Sequence, residues 1–108
     1  MSTIHLAEYR PHTKGLYFGR SDLNKLLSFY AMEVAAGRWR DYALDHEQDR
    51  AIFSLFRSAH EAPHFQIAKY RPRKGPLRYG LWSRSRELKW SRELDVILEA
   101  LKNILAAL

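Results

Sequence analysis

Large apolar side chains fall on both sides of one stretch, Trp39 to Arg57 (WRDYALDHEQDRAIFSLFR), and the rest of the chain is read around it. Within Ala51 to Phe56, Ile52 and Phe56 share one side with Ser54, while Phe53 and Leu55 share the other, because successive strand side chains point opposite ways. A strand that is apolar on both sides belongs in the interior of a sheet, where burying each such group is worth roughly 1.5–3 kcal/mol. Trp39 to Asp45 is expected to be its hairpin partner, with His46-Glu47-Gln48-Asp49 as the turn.

Upstream, residues 1 to 14 show no helical or alternating period and are expected to form a mobile arm, with a short extended piece near Ile4 to Leu6. Leu16, Tyr17 and Phe18 predict a short strand. Ser21 is then a candidate N-cap, and Asp22 suits a first helical turn, where its charge meets the positive end of the peptide dipoles. Leu23, Leu26, Leu27, Tyr30 and Val34 recur at helical spacing, which predicts a helix from Asp22 to Ala36 ended by Gly37.

Downstream, Phe65, Ile67 and Lys69 alternate with His64, Gln66, Ala68 and Tyr70, the pattern of a half-buried strand. Arg71-Pro72-Arg73-Lys74-Gly75-Pro76 reads as an exposed loop. In the next strand, Leu77 to Arg84, Leu77, Tyr79 and Leu81 share one face; Arg78, Gly80, Trp82 and Arg84 share the other. A polar turn leads to a strand from Glu87 to Trp90. Ser91 can cap a last helix whose stripe is Leu94, Ile97, Leu98, Leu101 and Leu105, with Ile104 at its margin. The expected fold is α+β, in the order β-α-β-β-β-β-β-α: an antiparallel sheet of five to six strands with two amphipathic helices on one face. The length of 108 residues, 46% hydrophobic, fits one domain over residues 15–108.

The residues from Leu16 to Arg57 resemble a known family. Phe18, Arg20, Leu23, Leu27 and Tyr30 carry the likeness, followed by Met32-Glu33-Val34-Ala35-Ala36-Gly37, Trp39-Arg40-Asp41-Tyr42-Ala43-Leu44-Asp45, Asp49-Arg50-Ala51-Ile52-Phe53-Ser54 and Phe56-Arg57. The pattern is similar to domain of unknown function 2794, found in short bacterial proteins, chiefly of the alphaproteobacteria. It continues more loosely through Ile67-Ala68-Lys69, the basic loop, Leu88-Lys89 and the last helix. Gly19 stands where that pattern is acidic, and the strand around Trp82 departs from its apolar run. The resemblance implies the fold and brings no activity with it.

Charge changes the picture more than composition does. The segment from Lys69 to Arg92 holds nine of the eighteen Lys and Arg against one acid, Glu87, so it is strongly cationic while the remainder of a +6 chain is slightly acidic. Such a concentration favours a polyanionic partner, nucleic acid or an acidic protein surface; it is equally what guards an exposed strand edge. Arg71, Arg73, Lys74, Arg78, Arg84 and Lys89 are therefore candidate phosphate contacts, with Trp82 or Tyr70 as a surface on which a base stacks. The alternative is a protein-interaction module, an adaptor or a homodimer, using the same Trp- and Arg-rich face.

Catalysis is not expected. With no cysteine, a disulfide framework, a thiolate nucleophile and a cysteine-based zinc site are excluded. No phosphate-cradling loop or dinucleotide turn occurs. His60-Glu61-Ala62-Pro63-His64 spells the H-E-x-x-H of zinc peptidases, but that chemistry needs both histidines on one helix, and Pro63 biases Ala62 away from helix. Asp41, Asp45, Glu47 and Asp49 lack the glycine and closing Glu of a calcium loop. No metal, cofactor or membrane partner is expected. No apolar run is long enough to span a bilayer, and the first residues lack the basic-then-apolar order of a secretion signal, so a cytoplasmic location is expected.

Overall fold

Leu44, Phe53, Ile67 and Leu81 stand side by side across four neighbouring strands, and all four are buried. In the computed structural model of the chain the described residues are 2–3, 16–58 and 61–107. They form β1 (Ser2–Thr3), α1 (Arg20–Ala35), β2 (Asp41–His46), β3 (Arg50–Phe56), β4 (Phe65–Tyr70), β5 (Arg78–Ser83), β6 (Arg86–Ser91) and α2 (Leu94–Ala106). The six strands lie in chain order in one antiparallel sheet. The expected α+β fold is therefore observed, and β3 occupies the interior position that its two apolar sides require.

Alternation divides the sheet. Ala51, Phe53 and Leu55 of β3, Phe65 and Ile67 of β4, and Leu81 of β5 point to one side, where they join buried residues of both helices in one cluster. Leu94, Ile97, Leu98, Leu101 and Leu105 are the buried stripe of α2, as their spacing predicts. On α1 the buried positions are Leu23, Leu26, Phe29 and Glu33, and Val34 is 40% exposed. The docked stripe is thus rotated from the predicted one: Leu27 and Tyr30 pack at its margin, Phe29 fills its centre and Val34 faces out. Glu33 tolerates burial because its carboxylate lies 3.2 Å from the Arg38 guanidinium.

Both ends of α1 are built by local chemistry. The N-cap is Gly19, not Ser21; its amide donates to the Asp22 carboxylate at 3.1 Å, half of a capping box. At the other end Gly37 takes φ +78°, its amide donates to Val34 O at 2.9 Å and that of Arg38 donates to Glu33 O at 3.0 Å. This pair of bonds is the Schellman motif, which needs a left-handed residue at the glycine position.

Leu16 to Phe18 is not a strand. Its backbone meets the β2–β3 turn where the Leu16 amide donates to Glu47 O at 3.2 Å and Leu16 O contacts His46 Nδ1. Phe18 is nonetheless buried in the core. The leading strand of the sheet is β1 instead, and the expected extended piece at Ile4 to Leu6 lies outside the described residues. Among the described residues no helix is long and apolar enough to cross a membrane.

Candidate nucleic-acid interface

The sheet face away from the helices has two small residues, Ala68 and Gly80, at its centre. Ile52, Ala68, Gly80 and Trp90 register in one row across β3 to β6, and Tyr70 and Arg78 register in the row beside it. On this face lies a polar cluster. The Tyr70 hydroxyl donates to the Glu87 carboxylate at 2.5 Å and accepts from Arg78 Nε at 2.9 Å, while an Arg78 terminal nitrogen lies 3.9 Å from the other Glu87 oxygen. The Arg78 guanidinium carbon also sits 4.3 Å from the ring centre of Trp90 and 5.2 Å from that of Tyr70. Cation and indole therefore hold each other in place by attraction between the charge and the ring face. Burial, then the hydrogen bond to Glu87, push the Tyr70 hydroxyl above its usual range, so it stays a donor.

Gly80 is what makes the cluster fit. A Cβ there would collide with the Glu87 carboxylate and would stand 2.9 Å from Trp82 Nε1 and 3.2 Å from the Tyr70 ring. Glu87 reaches this face through an irregularity: Leu81 registers with Lys89 but Trp82 with Glu87, so β6 carries one extra residue, Leu88. The resulting bulge brings Glu87 and Trp90 to one face, although strict alternation separates them.

Beside the cluster, Pro72, Lys74, Pro76, Arg78, Trp90 and Arg92 line a shallow cavity of about 210 Å³. Trp90 is 53% exposed there. Arg71, Arg73, Lys74 and Arg92 are exposed and form no ion pair among the described residues. Two of these cations, Lys74 and Arg92, thus share a cavity with one accessible indole, and Arg71 and Arg73 belong to the loop beside it.

Residues 16–98 match the family described as protein of unknown function DUF2794. The chain belongs to that family. The match runs beyond the stretch of strongest resemblance, through the basic loop, β5, β6 and the first turn of α2. No curated protein and no solved structure matches it.

In this DUF2794 fold the candidate residues do not all meet. Arg71, Arg73, Lys74 and Arg78 gather at the β4–β5 end. Arg84 stands six positions from Arg78 along a strand and its turn, roughly 20 Å at 3.3 Å per residue. Lys89 registers with Leu81, whose side chain is packed beneath the helices, and so belongs to the other face. Trp82 is half-buried, with its Nε1 sealed and without a hydrogen-bond partner among the described residues. Trp90 and Arg92, which the strand pattern left aside, take the places expected of Trp82 and Arg84; a bulge without a marker residue gave no signal of the exchange. Of the H-E-x-x-H pattern, His60 lies outside the described residues. Glu61 to His64 are not helical, and the His64 ring stacks on Phe65 at 4.6 Å. Among the described residues no three His, Asp or Glu come together as a metal site.

Proposed function

We propose that the chain is a small cytoplasmic nucleic-acid-binding module without catalysis, taking single strands or strands of weakly specified sequence at the β4–β5 end of its sheet. Lys74 and Arg92, with Arg71 and Arg73, neutralise phosphates. Trp90, held from one side by Arg78, offers its open surface to a base. The observation that carries this reading is the half-exposed indole of Trp90 in a cavity shared with Lys74, Arg78 and Arg92. Stacking on an aromatic and contacts to phosphate are together enough for strand binding without base readout.

Titration of a labelled single-stranded oligonucleotide at several salt concentrations tests it. Affinity is expected to fall with a log–log slope of about −0.7 for each phosphate neutralised. Reversing Arg71, Arg73 and Lys74 to Glu is expected to abolish binding and leave thermal unfolding unchanged. No binding at low salt overturns the proposal.

A second reading, an adaptor that grips an acidic protein, is favoured by the exposure of β6. This edge strand shows Leu88 at 40% together with Trp90 and exposed Arg86 and Lys89. It predicts recovery of a protein partner from nuclease-treated lysate. Pairing of two β6 edges in a homodimer would bring their like charges together, which disfavours it; light scattering of the purified chain measures this directly.

A further inference from the structure

Of the two outer strands of the sheet, β1 is 2 residues long and β6 is 6. Among the described residues β6 pairs with β5 alone, so the backbone N–H and C=O groups along its outer side have no ladder partner. Such a row is a template on which another extended chain can add. Charge is the usual guard against this, and β6 is charged. What sets this edge apart is that Leu88 and Trp90 stand 40% and 53% exposed among the cations. An edge that had only to repel would not need them.

The free charges here are of one sign. Arg86, Lys89 and the adjoining Arg92 are exposed and form no ion pair among the described residues. The acid of β6, Glu87, is occupied by Tyr70 and Arg78. A second β6 laid alongside would set like charges opposite one another, whereas an acidic segment would meet the opposite sign at each.

Register fixes the pattern such a segment needs. Arg86 pairs with Ser83 and Lys89 with Leu81, so these two cations stand on the same side of the sheet and at alternate positions along it, although three apart in the chain. The extra residue, Leu88, draws them to that spacing. Trp90 pairs with Gly80 and faces the other way. A neighbouring strand with carboxylates at alternate positions therefore sets them beside Arg86 and Lys89, and the adjacent apolar side chain beside Trp90. The bulge also works against pairing, because it interrupts the outer ladder at Leu88.

We propose that β6 is the docking edge for an extended acidic segment of a partner protein, which adds to the sheet through backbone hydrogen bonds and alternates carboxylates with apolar side chains. This docking rests on the second reading above, in which the chain grips an acidic protein, and adds the conformation in which that partner is held.

A synthetic peptide of alternating Glu and Val, titrated at low salt while amide exchange in β6 is followed by NMR, tests it. The amides of Arg86–Ser91 that exchange fast in the free chain are expected to become protected, and the same peptide methylated at every backbone nitrogen is expected not to bind. Alternating Lys and Val should not bind either. Lys89→Glu, an exposed substitution, turns an attraction into a repulsion and should weaken the Glu–Val peptide about tenfold. If the methylated peptide binds as tightly as its parent, side chains alone hold it: strand addition is wrong and the adaptor reading survives. If neither acidic peptide binds, strand addition is wrong, and the adaptor reading falls with it when polyglutamate is not bound at low salt either. Protection of β6 that rises with protein concentration in the absence of peptide gives the edge to a second copy and also overturns the proposal.

Discussion

Lys69 Nζ lies 2.9 Å from the carboxylate of Asp22, 47 positions earlier, and so ties β4 to the first turn of α1. The other Asp22 oxygen accepts from the Tyr79 hydroxyl at 2.7 Å, which adds β5 to the same knot. Lys69 and Asp22 retain 15% and 13% of their side-chain exposure. One carboxylate therefore caps a helix, pairs a half-sealed ammonium and anchors a phenol.

Removing that charge should be costly. Asp22→Asn leaves Lys69 nearly buried without a partner, and is expected to lower unfolding free energy by about 2–3 kcal/mol, somewhat under the loss seen on breaking a fully buried pair. Urea denaturation measures it.

The same knot sets two pH limits. Burial raises the Asp22 pKa, but the hydrogen bonds from Lys69, Tyr79 and Gly19 and the Lys69 charge outweigh it, and the value falls below the ordinary 3.8. The unfolded chain then takes up this proton first, so the stabilisation is present above pH 3.8 and is lost as pH falls through the folded value. Tyr79 behaves oppositely: burial, then the bond to Asp22 and its charge, raise its pKa above the ordinary 10.0. Its contribution is whole below pH 10.0 and declines as pH climbs beyond it. Tyr79→Phe should flatten the alkaline decline and, by removing one of the hydrogen bonds that hold the Asp22 pKa down, also shrink the acid limb.

Gly80→Ala is expected to destabilise by roughly 1–3 kcal/mol, the usual cost of forcing atoms into a filled space. The Glu87 carboxylate can swing aside, but only by releasing Tyr70, and the Trp82 and Tyr70 rings are stiff. A thermal melt gives the loss, and oligonucleotide binding should weaken with it, because Arg78 and Trp90 lose their support.

Two of the tryptophans, Trp39 and Trp90, should separate by role. Trp39→Ala removes a ring buried in the core and is expected to cost about 3–5 kcal/mol. Trp90→Ala gives up a half-exposed ring and one cation contact, on the order of 0.5–1 kcal/mol, while strand affinity drops by the roughly 1–3 kcal/mol of one stacked base. Comparing melting temperature with affinity for both variants distinguishes these outcomes; equal oligonucleotide binding by Trp90→Ala and the parent would contradict the proposed platform.

The turn between β5 and β6 offers a gain. Arg84 and Ser85 have φ of 50° and 71°, the left-handed pair of a two-residue hairpin that Asn-Gly fills with least strain. Arg84→Asn with Ser85→Gly is expected to stabilise by roughly 1 kcal/mol. Because Arg84 lowers the His64 pKa, the same variant should raise that pKa in an NMR titration.

Much of this was legible along the chain. The stripe of α2, the double-sided β3, the glycine stop of α1 and the basic β4–β5 loop each follow from a local rule, spacing of 3.6 or 2 or the steric freedom of one residue, and each is found where it was expected. Failures occurred where neighbours compete. The apolar run Leu16 to Phe18 reads as a strand, yet it buries Phe18 without a ladder. Val34 fits the stripe of α1, but the angle at which α1 lies on the sheet turns Phe29 and Glu33 inward.

The cationic end of the sheet shows the division most clearly. That positive charge is concentrated between Lys69 and Arg92 is a property of the chain alone, because charge adds up along a sequence whatever the fold. Which cations share a surface, and that Trp90 rather than Trp82 stands open among them, was decided by a single extra residue in β6. A bulge shifts the register by one, and in a strand a shift of one moves a side chain to the other face.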